Sequence, residues 1–490
     1  MIEWGITAGS HDASIAVIDG HFIRYASQAE RYSGRKNDKE LNNALIEAAL
    51  QYGEPTLIHW YENSYKKRLR QWWAGQPSSP IHPSHTLQNF DAFKKITTPF
   101  KWMNGNHHKS HAAAGFYTSG FDEAAILVVD AIGEFVTTSI WKAHDQTMKL
   151  LYEERYPNSL GLWYSAMTQR IGLKPNEEEY ILMGAASYGD PSVFYKDIKK
   201  TFFEPSDTYS LKENLHRGCL WWRADEEWDE QTKYDIAAST QLIYEEIFER
   251  LVYKTLRMTK MNNLVLMGGC ALNCKANTIS LKYFDNVWIM PNPGDSGSAI
   301  GAVVANRPRS LYWLGPYLGE NIVGSYPIDK IIHHLQTRQI VGVANGRAEF
   351  GPRALGNRSL FADPRSKDIR DRVNEIKKRQ AFRPFAPVIL EQYANQYFDM
   401  PISQTPYMQF VVKCRYPEEY PGIVHVDGTS RVQTVSFDQH PELYKLLKKW
   451  FSLTGCPMLL NTSLNIRGEA MVNNRADARR FQETYHVPVV

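Results

Sequence analysis

The sequence predicts a mixed α/β protein built from two domains. Three observations carry that expectation. A unit made of a buried strand, a small-residue or acidic turn and a β-hairpin occurs at the N-terminus and again from residue 124. Around residues 307–326 the composition shifts toward Gly, Pro, Leu and Tyr, and a fresh helix-then-strand pattern follows. The 490 residues, 43% hydrophobic and 22% charged, suffice for more than one core and are far from a disordered composition.

Taken in order, residues 3–8 read as a strand entering the turn Gly9-Ser10-His11-Asp12-Ala13-Ser14. Residues 15–18 and 21–28 form a hairpin closed by Asp19-Gly20, a dipeptide suited to a tight turn. The apolar run 124–130 ends in Asp130 and the turn Asp130-Ala131-Ile132-Gly133; a strand over 135–142 and a polar turn at His144-Asp145-Gln146 follow. Such a duplicated hairpin unit is what an actin/hexokinase-like fold would show, with nucleotide bound in the crevice between the halves. Residues 190–234, with Trp221, Trp222 and Trp228 among charges, read as an irregular insertion. Helical apolar spacing predicts a helix over 235–260. A buried strand over 263–269 ends in two glycines, and the small-residue loop 292–298 opens onto a helix. The domain boundary is placed between 315 and 316. Beyond it come a helix over 328–337, a strand over 340–344 and a glycine- and arginine-rich loop over 346–358.

Net charge is +3, close to neutral, so a nucleic-acid partner is neither demanded nor excluded. Five cysteines, an odd number in a long chain, fit a reducing compartment better than a disulfide framework. Cys270 and Cys274 lack a second pair nearby and read as packing residues, not a zinc site. No stretch approaches the ~20 apolar residues that span a bilayer. The opening residues lack a basic segment and a long apolar segment. The expectation is a cytoplasmic protein without a membrane partner; a homodimer stays open.

Three constellations carry chemistry. In His107-His108-Lys109-Ser110-His111, the first and last imidazoles are four apart and share one helical face, a spacing suited to one divalent metal. Asp130 at a strand end and Asp295 in a glycine loop would complete a two-His, two-Asp set suited to Fe(II), Mn(II) or Zn(II). The second is a pair of glycine loops, Gly268-Gly269 and Gly294-Asp295-Ser296-Gly297, after buried strands. Glycines there let backbone N–H groups approach phosphate. The third is Glu349-Phe350-Gly351-Pro352-Arg353-Ala354-Leu355-Gly356-Asn357-Arg358-Ser359, with Lys377, Lys378, Arg379, Arg383 and Arg431 downstream. Arginine's planar fork suits phosphate. Lys377 to Arg379 alone would read as a solvated basic helix. Asn461-Thr462-Ser463-Leu464-Asn465, closing an apolar strand, offers polar side chains to the same pocket.

With these residues in view, the sequence resembles the ATP-dependent O-carbamoyltransferases, the family of nodulation protein U and the cephamycin and tobramycin carbamoyltransferases. The match runs nearly the length of the chain. It takes in the turn at 9–14, the His107 segment, residues 123–127, Ser159-Leu160-Gly161, Met183-Gly184, residues 268–273 and 293–297, the 349–359 loop, Ala362-Asp363-Pro364-Arg365, Phe382-Arg383-Pro384-Phe385-Ala386-Pro387, His425-Val426-Asp427-Gly428 and residues 461–465.

The resemblance implies an actin-like N-terminal domain, similar to the tRNA threonylcarbamoyl transferases, over residues 1–315. It implies a YrdC-like α/β domain over 316–490. In that family the second domain makes carbamoyl adenylate and pyrophosphate from carbamoyl phosphate and ATP, with Mg accompanying ATP. The first domain moves the carbamoyl group to an acceptor hydroxyl beside a metal. By position, His107, His111, Asp130 and Asp295 are the expected metal ligands, with Fe(II) the first choice and Mn or Zn the alternatives. His11 and Asp12 are expected to orient or deprotonate the acceptor, and Gly268, Gly269 and Asn273 to hold the adenylate. Arg353, Arg358, Lys377, Arg383, Ser463 and Asn465 are expected to bind carbamoyl phosphate and ATP. Departures from the family pattern are Ala131 for Gly, Ile181 for Lys and Leu464 for Phe. The cation missing at Ile181 lies near the acceptor or nucleotide cleft.

Two acceptor classes stand side by side: a small-molecule or antibiotic sugar hydroxyl, and a hydroxymethyl pyrimidine, free or in phage-type DNA. The aromatic–basic segments 65–73 and 216–223 suit DNA, with Lys67, Arg70, Trp72 and Trp221 as contacts that neutralise phosphate and stack on bases. A different class is a catalytically degenerate, nucleotide-binding regulator or scaffold; the complete metal and arginine sets argue against it.

Overall fold

The computed structural model describes residues 1–9, 11–76 and 87–490; Ser10 of the first expected turn lies outside the described residues. The chain divides into two units. One comprises Met1–Ala29 and Asn37–Trp313, the other Glu30–Lys36 and Leu314–Val490.

The first unit carries the expected duplication, and carries it further than the hairpins alone suggested. Its first sheet contains β1 (Ile2–Thr7), β2 (Ser14–Asp19), β3 (Phe22–Gln28), β4 (Leu57–Trp60) and β5 (Lys101–Asn104), in the order β3-β2-β1-β4-β5. The second contains β6 (Glu123–Gly133), β7 (Val136–His144), β8 (Thr147–Arg155), β9 (Asn263–Met267) and β10 (Asn286–Trp288), in the order β8-β7-β6-β9-β10. In both, the first three strands form an antiparallel meander and the last two add in parallel. This is the actin-like, two-sheet design. Residues 124–129 of β6 are all buried, as a strand covered on both faces requires.

The Ser298–Asn306 helix seats the His107–Ser119 helix by close backbone approach. A Cβ on Gly301 would lie 1.8 Å from the Ser110 carbonyl oxygen, and one on Gly5 would lie 1.7 Å from that of Ala299. Asn106 caps the start of the His107–Ser119 helix by accepting the Lys109 N–H at 2.9 Å. Gly120, at φ 76°, ends it.

The helix expected over 235–260 is present as Glu230–Thr259, starting earlier because Asp229 caps it. The stretch 190–234 is not wholly irregular: Ser192–Phe202 is a helix, with Phe194, Ile198 and Phe202 buried along one stripe. Charges on its other face diluted that period in the sequence. All five cysteines are free. Among the described residues, no helix is long and apolar enough to cross a membrane.

In the second unit, β11 (Tyr317–Ile322) pairs antiparallel with β13 (Gly346–Glu349), so the start of the expected 346–358 loop is a strand. The main sheet, in the order β12-β14-β19-β15-β18, contains β12 (Ile340–Ala344), β14 (Arg358–Ala362), β15 (Ala386–Leu390), β18 (Gln433–Val435) and β19 (Met458–Ser463). A short ladder joins β16 (Val412–Lys413) and β17 (Thr429–Ser430). Helices Ile328–Arg338 and Pro441–Thr454 bury Ile331, Leu335, Leu443, Leu447 and Trp450 in this unit's core.

Glu30–Lys36 belongs to this unit through specific contacts: Arg31 donates to the carbonyls of Glu349 and Gly351, and Tyr32 donates to Glu320 at 3.1 Å. Nothing in the local sequence pattern of those seven residues announces it.

Candidate functional site

The His107–Ser119 helix, strand β6 and the loop after β10 bring the four expected ligands together. His107 Nε2 lies 3.2 Å from Asp130 Oδ2 and 3.3 Å from Asp295 Oδ1. His111 Nε2 lies 3.4 Å from Asp295 Oδ1 and 3.1 Å from His107 Nε2. One donor atom from each residue falls within 4.8 Å of all the others. The spacing follows from the sequence: i and i+4 stack on the helix, β6 delivers Asp130, and the glycine loop after β10 delivers Asp295.

The donor set fits a divalent cation. Two imidazole nitrogens and two carboxylate oxygens converge in a buried place, and only a cation or extra protons can reconcile them. The His111 Nδ1–H donates to the Pro293 carbonyl at 3.1 Å, which leaves Nε2 facing the carboxylates with its lone pair. Burial alone would depress the His107 pKa, but the Asp295 and Asp130 carboxylates raise it well above its ordinary value. Burial alone would raise the Asp130 pKa, yet the hydrogen bond with His107 holds it at about 2. Two histidines and two carboxylates match Fe(II), Mn(II) or Zn(II).

The loop after β1 holds His11 and Asp12. His11 Nδ1 lies 2.9 Å from Asp12 Oδ2, and Nε2 lies 2.8 Å from the Asn176 carbonyl oxygen. Both partners accept, so the ring is doubly protonated. Burial would lower its pKa, but the hydrogen bond and charge of Asp12 push it up to about 10. His11 is therefore a cation that orients the Asp12 carboxyl group.

The glycine loop after β9 packs against the His/Asp cluster. Gly268, at φ 92°, packs so closely that a Cβ would lie 2.2 Å from the Val129 carbonyl oxygen. The Gly269 N–H donates to Asp130 Oδ1 at 2.9 Å. The Asn273 side chain exchanges two hydrogen bonds with Gln241, both 3.1 Å, and caps the short helix after it. These three residues line one place, but the Gly269 N–H is already engaged.

In the second unit, topology gathers the expected phosphate-binding residues at one end of the main sheet. Strand β14 runs antiparallel to β19 with Ser359 opposite Ser463, and β15 begins with Ala386 opposite Asn461. The loops carrying Arg353, Arg383, Ser463 and Asn465 therefore meet there. Lys377 lies among them, donating to Ser463 O and to Asn465 O and Oδ1 at 2.5, 2.9 and 3.1 Å. It is buried, not part of a solvated helix, and burial together with Arg379 and Arg383 holds its pKa well below normal.

Two expectations are corrected. Arg358 is fully buried, and its guanidinium donates to the carbonyls of Asn473, Asn345, Gly346, Asn357 and Glu320. It is a strut that pins loops, not an open phosphate ligand. Lys67 and Arg70 are not exposed DNA contacts. On the Ser64–Trp73 helix they turn inward, three residues apart, and both are buried. Lys67 donates to Glu62 at 2.8 Å, and Arg70 donates to Gln76 at 3.1 Å. Trp72 and Trp221 are exposed, at 74% and 48%, whereas Trp222 is buried.

Two acids escaped the sequence reading. Glu62 sits behind His107, its Oε2 3.9 Å from Nδ1. Glu134 accepts the N–H groups of Asn63 and His107 at 2.6 and 3.3 Å, at a helix N-terminus. Their only signal in the sequence is position beside the named motifs. Glu349, which opens the expected arginine loop, shapes it: its Oε1 accepts the N–H groups of Leu355, Asn357 and Arg358.

Comparisons with known proteins match both parts of the chain. Residues 81–304 match the carbamoyltransferase N-terminus model and residues 332–490 the carbamoyltransferase C-terminus model. A protein of Synechocystis is 33% identical, covering 97% of this chain and 93% of its own. Nodulation protein NolNO of Sinorhizobium fredii is 33% identical, covering 96% and 76%. The 3'-hydroxymethylcephem-O-carbamoyltransferase of Amycolatopsis lactamdurans is 28% identical, covering 97% and 95%.

Proposed function

The chain belongs to the carbamoyltransferase family, and from that premise we propose that it is an ATP-dependent O-carbamoyltransferase that works through carbamoyl adenylate. The observation that carries the proposal is the buried His107, His111, Asp130 and Asp295 set in the same unit as the His11–Asp12 loop.

The chemistry asks for two sites. A carbamate is a poor electrophile and a hydroxyl a poor nucleophile, so activation must precede transfer. Activation is assigned to the second unit. Arg353 and Arg383 hold phosphate groups, while Lys377 fixes the Ser463–Asn465 turn against which they bind. Carbamoyl phosphate gives its phosphoryl group to water as inorganic phosphate; an oxygen of the carbamate so freed bonds to the ATP α-phosphorus, and the bond to pyrophosphate breaks as the adenylate forms.

Transfer is assigned to the first unit. Asp12, oriented by the His11 imidazolium, accepts the hydroxyl proton as the acceptor oxygen bonds to the carbamoyl carbon. The bond from that carbon to the AMP oxygen breaks, and AMP leaves. His107, His111, Asp130 and Asp295 would hold a divalent metal, which would supply Lewis acidity as negative charge develops during transfer. Burial of the cluster excludes water that would otherwise hydrolyse the adenylate.

For the acceptor, we favour a small-molecule hydroxyl. Support comes from Lys67 and Arg70 turning inward, which removes two of the cations a DNA-binding face would use, and from the hydroxymethylcephem relative. The test is mass spectrometry of candidate acceptors incubated with enzyme, ATP and carbamoyl phosphate. Gain of one carbamoyl group supports the proposal. Absence of carbamoyl-phosphate-dependent pyrophosphate release would instead favour the non-catalytic, nucleotide-binding alternative.

A further inference from the structure

The two metal-ligating histidines are held from behind in different ways. His111 Nδ1 rests on a backbone carbonyl, that of Pro293. His107 Nδ1 is buried and makes no hydrogen bond; Glu62 Oε2 is the carboxylate that faces it, 3.9 Å away. Glu62 lies two residues past the end of β4 and is itself buried, at 3% exposure. A carboxylate in such a place needs a cation, and Lys67 provides it: Nζ lies 2.8 Å from Glu62 Oε1, with Lys67 only 5% exposed. The ammonium has a further contact. It donates to the Gly9 carbonyl at 3.4 Å, at the head of the loop that carries His11 and Asp12.

Burying a lysine and a glutamate together costs desolvation on both, and a well-packed apolar pair would often serve stability as well. This pair does what an apolar pair cannot. One end addresses the rear nitrogen of a metal ligand, where a carboxylate fixes the tautomer and raises ligand basicity. The other end holds the backbone of the acceptor loop.

We propose that Lys67 and Glu62 form a positioning bridge linking the metal centre to the His11–Asp12 loop, so that metal occupancy and loop order rise and fall together. The bridge rests on the metal reading given above and adds two residues to it. Occupancy at His107 favours Nδ1–H donation to Glu62. Glu62 so engaged keeps Lys67 in place, and Lys67 steadies Gly9.

The test uses the full chain and Co(II) alone, whose ligand-field absorption reports both affinity and coordination. Glu62→Gln keeps size and removes charge; it is expected to weaken Co(II) binding roughly 10- to 100-fold. Lys67→Met is expected to weaken it in the same direction, and Lys67→Arg to restore most of the loss. Hydrogen exchange gives the coupling. Co(II) slows exchange of the His11 and Asp12 amides in wild type and fails to do so in Lys67→Met. A purely structural ion pair would lower unfolding temperature and leave Co(II) affinity and metal-linked amide protection as in wild type, and that result overturns the bridge. Should Lys67→Met fail to fold, Glu62→Gln and Lys67→Arg carry the same comparison. Wild type that takes up no Co(II) overturns the metal reading and the bridge together; normal uptake by every variant overturns the bridge alone.

Discussion

Arg358→Met should unfold the arginine loop before it affects phosphate binding. In the native chain the guanidinium makes six hydrogen bonds to five backbone carbonyls, at 2.9–3.2 Å, with no exposed surface. Burial pushes its pKa down to about 10, so it is still charged at neutral pH. Methionine fills part of the volume and removes all six donations, although the Asn357 carbonyl keeps the Asn345 N–H at 3.1 Å. At about 1 kcal/mol for each hydrogen bond lost, the gross loss is on the order of 5 kcal/mol. Removal of a buried charge and local relaxation offset part of that, leaving roughly 3–5 kcal/mol. For a unit of this size, the midpoint of thermal unfolding should fall by roughly 6–20 °C. Lysine has three donors and no fork, so Arg358→Lys should recover only part of the loss. The assay is urea and thermal unfolding of the full chain, with the KM for carbamoyl phosphate measured where each variant is still folded. A strut predicts large stability losses and a KM changed less than about threefold. Wild-type stability with a KM raised 30-fold or more would show that Arg358 is a direct phosphate ligand, and would refute this reasoning.

Arg353→Ala should stop carbamoyl-phosphate-dependent pyrophosphate release, because losing a two-point phosphate contact costs about 2–4 kcal/mol, on the order of 30- to 1000-fold in rate; an unchanged rate places activation elsewhere. His440 is buried, with Nε2 2.9 Å from Asn357 Oδ1, and burial pushes its pKa down to about 4. Its contribution to stability is therefore complete above about pH 6.5, the unfolded value, and is lost as pH falls toward 4. Between pH 7 and 5 wild type should lose about 2 kcal/mol more than His440→Gln in urea titrations, and equal losses would contradict the assignment. Hydroxymethylated DNA should show no steeply salt-dependent binding, and Lys67→Ala with Arg70→Ala should lower stability without changing any salt slope. Tight binding at low salt, weakened by that double variant, would restore the DNA reading.

Much of the fold was legible because it rests on local patterns. The two hairpin units and the Glu230–Thr259 helix declare themselves through turn residues and apolar period. The His/Asp cluster was legible unevenly: His107 and His111 pair by helical spacing, whereas Asp130 and Asp295 offered only a strand end and a glycine loop, since 165 residues separate the two acids and the sheet order that joins them is non-local. What the sequence could not show is direction. Arg358 and Arg353 sit in one motif, yet the antiparallel register of β14 with β12 and β19 sends Arg358 into the core. Lys67 and Arg70 look like Lys66 and Arg68 in composition, and only the packing of the Ser64–Trp73 helix decides that the first pair faces inward. Likewise the assignment of Glu30–Lys36 to the second unit depends on partners near residues 320, 349 and 469, far along the chain.

The proposed division of labour puts activation in the second unit and metal-dependent transfer in the first. Following pyrophosphate release and acceptor carbamoylation together in His111→Ala decides it. That variant should bind less metal, retain carbamoyl-phosphate-dependent pyrophosphate release, and form no carbamoylated acceptor. Full transfer by a metal-free His111→Ala protein, or loss of pyrophosphate release along with transfer, would contradict the claim.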